Sequence, residues 1–421
     1  MIPTRKITAL AAALIVVSTG LLSWLLIWSN TLFNPTALKW NAWAFYEWLI
    51  NYQAGFIRRG LVGEFIQHWF YNKETTALNY TAFVLGSAYL AFSLQLTLSS
   101  VRYAGAALIY VFSPCGFFWA AIANEYYFRK EMCFYLAIFI LAALYRKWSK
   151  TPNSSSLAAA ILTLIILFSL VLPLIHEASV FFCTLIFALI LFNILNFRYG
   201  RDTAGSGLRG FLLLNLMIFI LLSCFKGDAE QSRQIWASLS PAAQRFSTGR
   251  LSGGIAALGW SLTQAMQLPK QILWSGIGLY YLYPLALVYL INGYIQARLQ
   301  QRSPAQVYAS ADFIGNFVLV FVCFLPLFVL GWDWGRWIFG INLVFSVMIF
   351  SGLQLSFQGF CALPAGLFVR KHAGTLFVSL LLLISLFSRS PECCIKALGS
   401  SYLELDPAAL AAMLHNGVFS P

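Results

Sequence analysis

Long apolar stretches alternate with short polar breaks along nearly the whole chain. A helix needs about 20 apolar residues to cross the hydrocarbon core of a bilayer. Runs of that order predict spans near residues 7–29, 78–98, 104–123, 132–145, 157–175, 178–195, 207–224, 271–291, 313–330, 338–357 and 373–387. The expected fold is an all-α polytopic integral membrane protein with about eleven transmembrane helices, forming one integral domain over residues 1–421. The first run follows a basic stretch, is as long as a full span and shows no small-residue cleavage site, so it reads as an uncleaved anchor rather than a secretory signal.

Three breaks are long. Residues 30–77 form an expected external loop that begins with an aromatic stretch at 40–48, whose Trp and Tyr residues suit a helix lying in the headgroup layer. Residues 225–270 form a second external loop, polar at first through Lys226, Asp228, Glu230, Arg233, Arg245 and Arg250, then loosening through Leu-Ser-Gly-Gly at 251–254. A loop of that length in a compact domain is usually functional or disordered. Residues 388–421 make an external C-terminal tail with a helical patch near 407–415. No internal repeat or low-complexity tract is visible.

Composition agrees: 60% of the 421 residues are hydrophobic and 10% charged, against about 25% charged in soluble domains. With the N-terminus in the cytoplasm, the cytoplasmic segments hold thirteen Lys and Arg against Asp202 and Asp312, leaving fourteen bases and twelve acids outside. Lys and Arg alone are nearly balanced, so the positive-inside rule is only weakly met. The outer bases, however, sit in four clusters and one long loop, and the expected topology has the N-terminus in the cytoplasm and the C-terminus on the periplasmic or extracellular side. The net charge of +13 comes in twos and threes at helix ends rather than as a dense patch, so nucleic acid is not an expected partner and membrane lipid is. Six of the eight cysteines lie in or beside apolar runs, only Cys393 and Cys394 lie outside, and no ligand spacing points to zinc. No metal or other cofactor is expected.

Four charge-bearing clusters fall on the outer side of this topology: GFIRRGLVGEF at 55–65, NEYYFRKE at 124–131, LIHEAS at 174–179 and GWDWGRW at 331–337. Only fourteen apolar residues separate Glu131 from the basic stop at Arg146, so Arg129, Lys130 and Glu131 are expected in the outer turns of a helix. The same shortage of loop draws His176 and Glu177 to the boundary between two adjacent spans. Glu125 and Arg129, and likewise Glu64 and His68, are four apart and share helix faces. Each charge taken singly is an interfacial or snorkelling anchor. Together, Arg58, Arg59, Arg129, Lys130 and Arg336, with Glu64, Glu131, His176, Glu177 and Asp333, point to one polar pocket, because ionised groups at this depth should face a cavity or one another.

Five cations at one membrane face suit concentrated negative charge, and the planar guanidinium fork matches phosphate oxygens in a two-point contact. A diphosphate at a membrane surface implies a lipid-linked intermediate. Asp333 can orient Arg336 from three residues away, while Trp332, Trp334 and Trp337 suit either an aromatic belt or stacking on sugar rings. Gly55, Gly60 and Gly63 allow backbone to approach a phosphate. His176 and Glu177 are the candidates for a general base; either one can take the proton while the other binds substrate or tunes its neighbour.

This organisation of many short-looped spans, outward-facing charges, an Arg-rich external surface and a long mid-chain external loop resembles the bacterial polysaccharide repeat-unit polymerases of the O-antigen and capsule type. It is also similar to the wider C-class of membrane glycosyltransferases. The resemblance implies transfer of a growing glycan from an undecaprenyl-diphosphate carrier to a hydroxyl of another lipid-linked repeat unit, with a partner protein that sets chain length. It further implies Glu177 or His176 as base and the five cations as the diphosphate site. The first external loop carries only Glu47 rather than paired acids, which favours a metal-independent mechanism. A single-sugar transferase using polyprenyl-phosphate sugar and an O-antigen ligase would need nearly the same pocket. A lipid-linked glycan transporter or flippase would instead favour midplane charges and internal symmetry, neither of which the chain shows, and a structural subunit would not explain convergent charge.

Overall fold

The computed structural model describes residues 4–28, 42–99, 116, 128–246, 249–274, 277–302, 313–331, 333–353, 355 and 380. Among these the regular structure is helical and includes no strand. The expected span at 104–123 and the one at 373–387 lie outside the described residues apart from Gly116 and Leu380, as does the tail at 388–421.

Among the described residues six helices are long and apolar enough to cross a membrane. They are α4 (Glu74–Ser99, apolar through Leu98), α6 (Ser155–Ile175), α7 (Ser179–Tyr199), α8 (Arg201–Cys224), α14 (Phe313–Leu330) and α15 (Trp334–Ser351). With them stand α1 (Thr4–Trp28), α5 (Glu131–Trp148), which has charged residues at both ends, and α13 (Leu282–Arg302). The chain's described residues are all-helical, and six apolar helices of this length mark it as a membrane protein.

Local chemistry fixes several boundaries. Ser154 starts α6 by accepting the Leu157 amide hydrogen, and Gly200, at φ 84°, turns α7 directly into α8. On α8 the buried residues Ala204, Phe211, Asn215 and Leu222 recur at near-heptad spacing, the narrow stripe by which an antiparallel hairpin packs. Gly352, at φ 67°, ends α15, and the next amide, on Leu353, closes on Met348 O at 2.9 Å, the double reversal that favours a glycine at this position. This stop makes the span 334–351, not 338–357. The predicted span at 271–291 is likewise revised: α12 (Leu262–Trp274) ends early, a short 3₁₀ turn covers Ile277–Tyr281, and α13 begins at Leu282. Pro284, tolerated in the first turn, suits that fresh start.

Helices α5, α7, α14 and α15 share the main core, with Phe182 of α7 packed on Phe324 of α14 at 4.7 Å between ring centroids. Gly340 of α15 lies against these two rings, where a Cβ atom would come within 2.7 Å of Phe324. Polar groups inside the core satisfy each other: Asn292 Nδ2 donates to Asn342 Oδ1 at 2.8 Å, and Ser346 Oγ donates to Asn292 Oδ1 at 2.9 Å.

The described residues of the two expected external loops, 42–77 and 225–270 apart from 247–248, are largely helical. Together they fold into a helical module at one end of the spans, with its own core of Phe45, Tyr46, Trp48, Ile57, Ile66, Ile235 and Ile255 among others. The module comprises α2 (Ala42–Trp48), α3 (Leu61–Trp69), α9 (Ala229–Ser238), α10 (Pro241–Gln244) and α11 (Gly253–Leu258). Helix α2 packs inside the protein: Ala44, Phe45, Tyr46, Glu47 and Trp48 are all buried, with Phe45 stacked on Phe246 at 3.9 Å and the Tyr46 hydroxyl donating to Ala243 O at 3.1 Å. Residues 251–254 are the opposite of loose. Gly253 and Gly254 start α11 where it crosses α2, and a Cβ on Gly254 would stand 2.7 Å from the Glu47 Cα.

Candidate functional site

The module meets the spans where α5, α7 and α15 begin and α6 ends. Helix α6 stops at Ile175 because His176 turns extended (φ −164°, ψ 125°), and α7 starts again at Ser179. This junction of three residues presents His176 and Glu177 at the helix ends, as the shortage of loop predicts. Arg58 and Arg59 precede α3, and the Arg58 amide donates to Phe225 O at 2.9 Å, tying the strap to the end of α8. Arg59 has φ 70°, a left-handed conformation uncommon for a non-glycine residue. Its carbonyl accepts from Lys130 Nζ at 2.8 Å. Phe128, at φ 61°, is stabilised alongside it: its carbonyl accepts from Trp48 Nε1 at 2.7 Å and its ring stacks on Trp48 at 4.8 Å. Two strained residues kept in place by surrounding contacts are a feature that clusters at functional sites.

Arg59 Nε donates to Glu177 Oε2 at 2.8 Å and Nη2 to Oε1 at 2.5 Å, while Nη1 reaches Glu47 Oε1 at 3.2 Å. Arg58 Nη1 also reaches Glu177 Oε1, at 3.0 Å. Glu47 is the hub on the other side, with Arg129 Nη2 3.3 Å from Oε2 and His176 Nε2 3.2 Å from Oε1. His176 Nδ1 accepts the Ala178 amide hydrogen at 3.1 Å, which leaves Nε2 to carry the hydrogen toward Glu47. Arg336 Nη1 pairs with Glu131 Oε1 at 2.5 Å, and its Nη2 pairs with Asp333 at the N-terminus of α15.

The four charged segments of the sequence thus converge, and a fifth contributor joins them. Glu47, 1% exposed, contacts three groups of the cluster, although in the sequence it is one acid within an aromatic stretch. Its signal there is that isolation: a carboxylate on a helix otherwise suited to burial calls for cationic partners. Arg129 and Lys130 lie ahead of α5 rather than within it, because Phe128 and Arg129 are not helical, and Glu131 alone opens the first turn. Both cations are buried all the same. Glu125 lies outside the described residues.

Two expected members, Glu64 and Trp334, sit elsewhere. Glu64 accepts from the Tyr52 amide at 2.8 Å and from Gln53 Nε2 at 3.2 Å, so it closes the turn before the arginines instead of joining the charge cluster, and His68 packs edge-on against Trp69. Trp334 is buried, with Tyr281 and Phe328 against its ring and its indole N–H on Phe328 O and Gly331 O, so it is a packing residue. Gly60 and Gly63 lie against Tyr52 and the Ile50 carbonyl, where they serve close packing.

Nor are the five cations free. Arg58, Arg59, Arg129 and Arg336 each pair with a carboxylate of Glu47, Glu131, Glu177 or Asp333, and Lys130 donates to the Arg59 carbonyl. Burial alone would raise the Glu47 carboxyl, but Arg129, His176 and Arg59 hold it well below the usual carboxylate range. Burial would likewise raise Glu177, and Arg58, Arg59 and His176 hold it well below that range. Burial pushes Lys130 down to about 7, partly offset by Glu47. The cluster has a rim and a floor: the Arg58 side chain is 28% exposed, whereas those of Arg129 and Arg336 are 9% and 8%. Among the described residues no three His, Cys, Asp or Glu side chains are grouped to hold a metal ion. No protein-family model, curated protein or solved structure matches the chain.

Proposed function

We propose that this chain is a membrane glycosyltransferase that polymerises polyprenyl-diphosphate-linked oligosaccharide repeat units at the outer face of a bacterial cytoplasmic membrane. The observation that carries the reading is the joint aim of Arg58 and Arg59 at one carboxylate on the rim of a cationic cluster, built from sequence-distant segments at one end of the spans. Guanidinium forks that grip a carboxylate in two-point fashion present the same donors to a phosphate. The floor residues Arg129, Lys130 and Arg336 are fixed in advance and stabilise charge as the diphosphate departs; preorganised charge of this kind often lowers a reaction barrier more than any other single effect. The His176–Glu177 junction supplies the base, the helical module covers the saccharide, and the carrier's polyprenyl chain lies among the spans. A separate protein sets chain length.

The deciding experiment is the lipid-linked product that accumulates when the gene is deleted. A single complete repeat unit is the expected result. A finished polymer would make the chain a ligase, a truncated repeat would make it a single-sugar transferase, and an unchanged lipid-linked pool would overturn the reading altogether.

A further inference from the structure

Both candidate bases are occupied in the described arrangement. Glu177 has both carboxylate oxygens on guanidinium groups, and His176 has both ring nitrogens engaged. We infer that Glu177 is a resident counter-anion which the donor's diphosphate displaces from Arg58 and Arg59, and that this exchange frees its carboxylate to take the acceptor's proton. This rests on the proposed function in taking the ligand of the two arginines to be the phosphate of a lipid-linked donor.

Which partner gives way follows from how each is tethered. Arg59 keeps a second carboxylate, Glu47, on Nη1 at 3.2 Å, and Lys130 Nζ holds its carbonyl at 2.8 Å. The guanidinium therefore stays when an anion arrives. Glu177 is secured by its backbone, whose carbonyl accepts from the Val180 amide at 3.2 Å, but among the described residues its carboxylate is held by the two arginines alone, with His176 Nδ1 3.5 Å away and already accepting the Ala178 amide. It can swing away by side-chain rotation alone. The exchange is also confined to the rim, where the Arg58 side chain is 28% and the Glu177 side chain 10% exposed, while the pairs Arg129–Glu47 and Arg336–Glu131 are almost closed to solvent. A diphosphate brings more negative charge and more acceptor oxygens than a carboxylate, so the two forks favour it.

The coupled step balances. The acceptor hydroxyl gives its proton to the freed Glu177 carboxylate, and its oxygen forms a bond to the anomeric carbon. The bond from that carbon to the diphosphate oxygen breaks, and the electron pair leaves on that oxygen, which Arg58 and Arg59 hold. A base that becomes available only when the donor is bound also protects the site from idle chemistry without it.

The test is calorimetric titration of the full-length chain in detergent, with inorganic pyrophosphate in one arm and farnesyl diphosphate, a short-chain lipid diphosphate, in the other. Glu177→Gln removes the competing anion at nearly constant shape. It is expected to bind both probes about tenfold tighter than the wild type, an affinity change of ordinary size for one lost charge competitor, while glycan transfer is lost. Binding that is equal or weaker in a folded Glu177→Gln protein would overturn the exchange yet leave the diphosphate reading standing, and tighter binding with transfer intact would overturn Glu177 as the proton acceptor. If neither wild type nor variant binds either probe, the proposed function fails and the exchange fails with it. Glu177→Ala, judged by the same affinities after size-exclusion shows a folded protein, replaces the glutamine variant should that one not accumulate.

Discussion

Helices α8 and α15 differ in what surrounds them. Both are apolar and long enough to span, yet 17% of the apolar stretch of α8 is buried inside the protein, against 89% for α15. The less apolar of the two is the more buried, the reverse of what a soluble protein would lead one to expect. Lipid tails are as apolar as leucine, so hydrophobicity alone does not drive a helix into the bundle; packing and polar contacts do. Helix α15 has them: Arg336 reaches Glu131, Asn342 meets Asn292, and Gly340 lets α7 and α14 come close. Helix α8 offers lipid a row of exposed Leu212, Leu213, Leu216, Met217, Ile220 and Leu221, keeping a narrow stripe for α7. The helix that sits deepest is the one that delivers charge to the candidate site.

The largest expected break in this contrast comes from charge. Arg336→Ala leaves Glu131 and Asp333 without their shared partner and should destabilise the protein by about 3–5 kcal/mol, the usual penalty for stranding buried charge, with polymer synthesis lost. Arg209→Ala on α8, where the side chain is exposed and meets Ser206, should change neither. Thermal unfolding in detergent and chain-length ladders read both, and equal midpoints for the two variants would end the contrast.

Packing should give an intermediate effect. Gly340→Leu forces a side chain against Phe182 and Phe324 and should cost about 1–3 kcal/mol by overpacking. Gly210→Leu on α8, with no atom within 4 Å of an added Cβ, should leave the unfolding midpoint unchanged or slightly raised. Polar contacts should show the smallest difference. Asn342→Leu removes the acceptor of Asn292 and should cost about 0.6–1.7 kcal/mol, the range measured for side-chain hydrogen bonds between membrane helices. Ser223→Ala on α8, whose hydroxyl only returns to Phe219 O of its own helix, should have no measurable effect on the same unfolding curve.

The site divides the same way between what the sequence reveals and what it hides. His176 and Glu177 are legible because they are the two residues left between the apolar runs 157–175 and 178–195, and a carboxylate next to a histidine there is conspicuous. Asp333 and Arg336 are legible by their spacing of three. Arg129 and Lys130 are legible as deep charges but not in their conformation, because run length reports depth and says nothing of the left-handed turn at Phe128 that precedes α5. Glu47 is legible only as an isolated acid among aromatics, and its partners Arg59, Arg129 and His176 are too distant in sequence to be named from it. Glu64 misleads for the complementary reason, since a charge beside two arginines in sequence can turn to its own backbone instead.

The polar breaks at 30–77 and 225–270 show the limit most clearly. Neither shows a pattern that predicts a core, and the two bury one against each other and against Leu78, Ala82 and Phe128, with Gly254 allowing α11 to touch α2 at Glu47. By itself the sequence determined that the chain lives in a membrane, roughly where most described spans run, and which charges emerge at their ends, because these depend on local hydrophobicity and run length. Only the tertiary structure decided which helices face lipid, that two loops make one module, and that every cation of the cluster already has an acidic or carbonyl partner. Those outcomes depend on contacts between distant segments, where a bilayer supplies no hydrophobic gradient to choose among faces and where each buried charge selects whichever opposite charge the fold brings within about 3 Å.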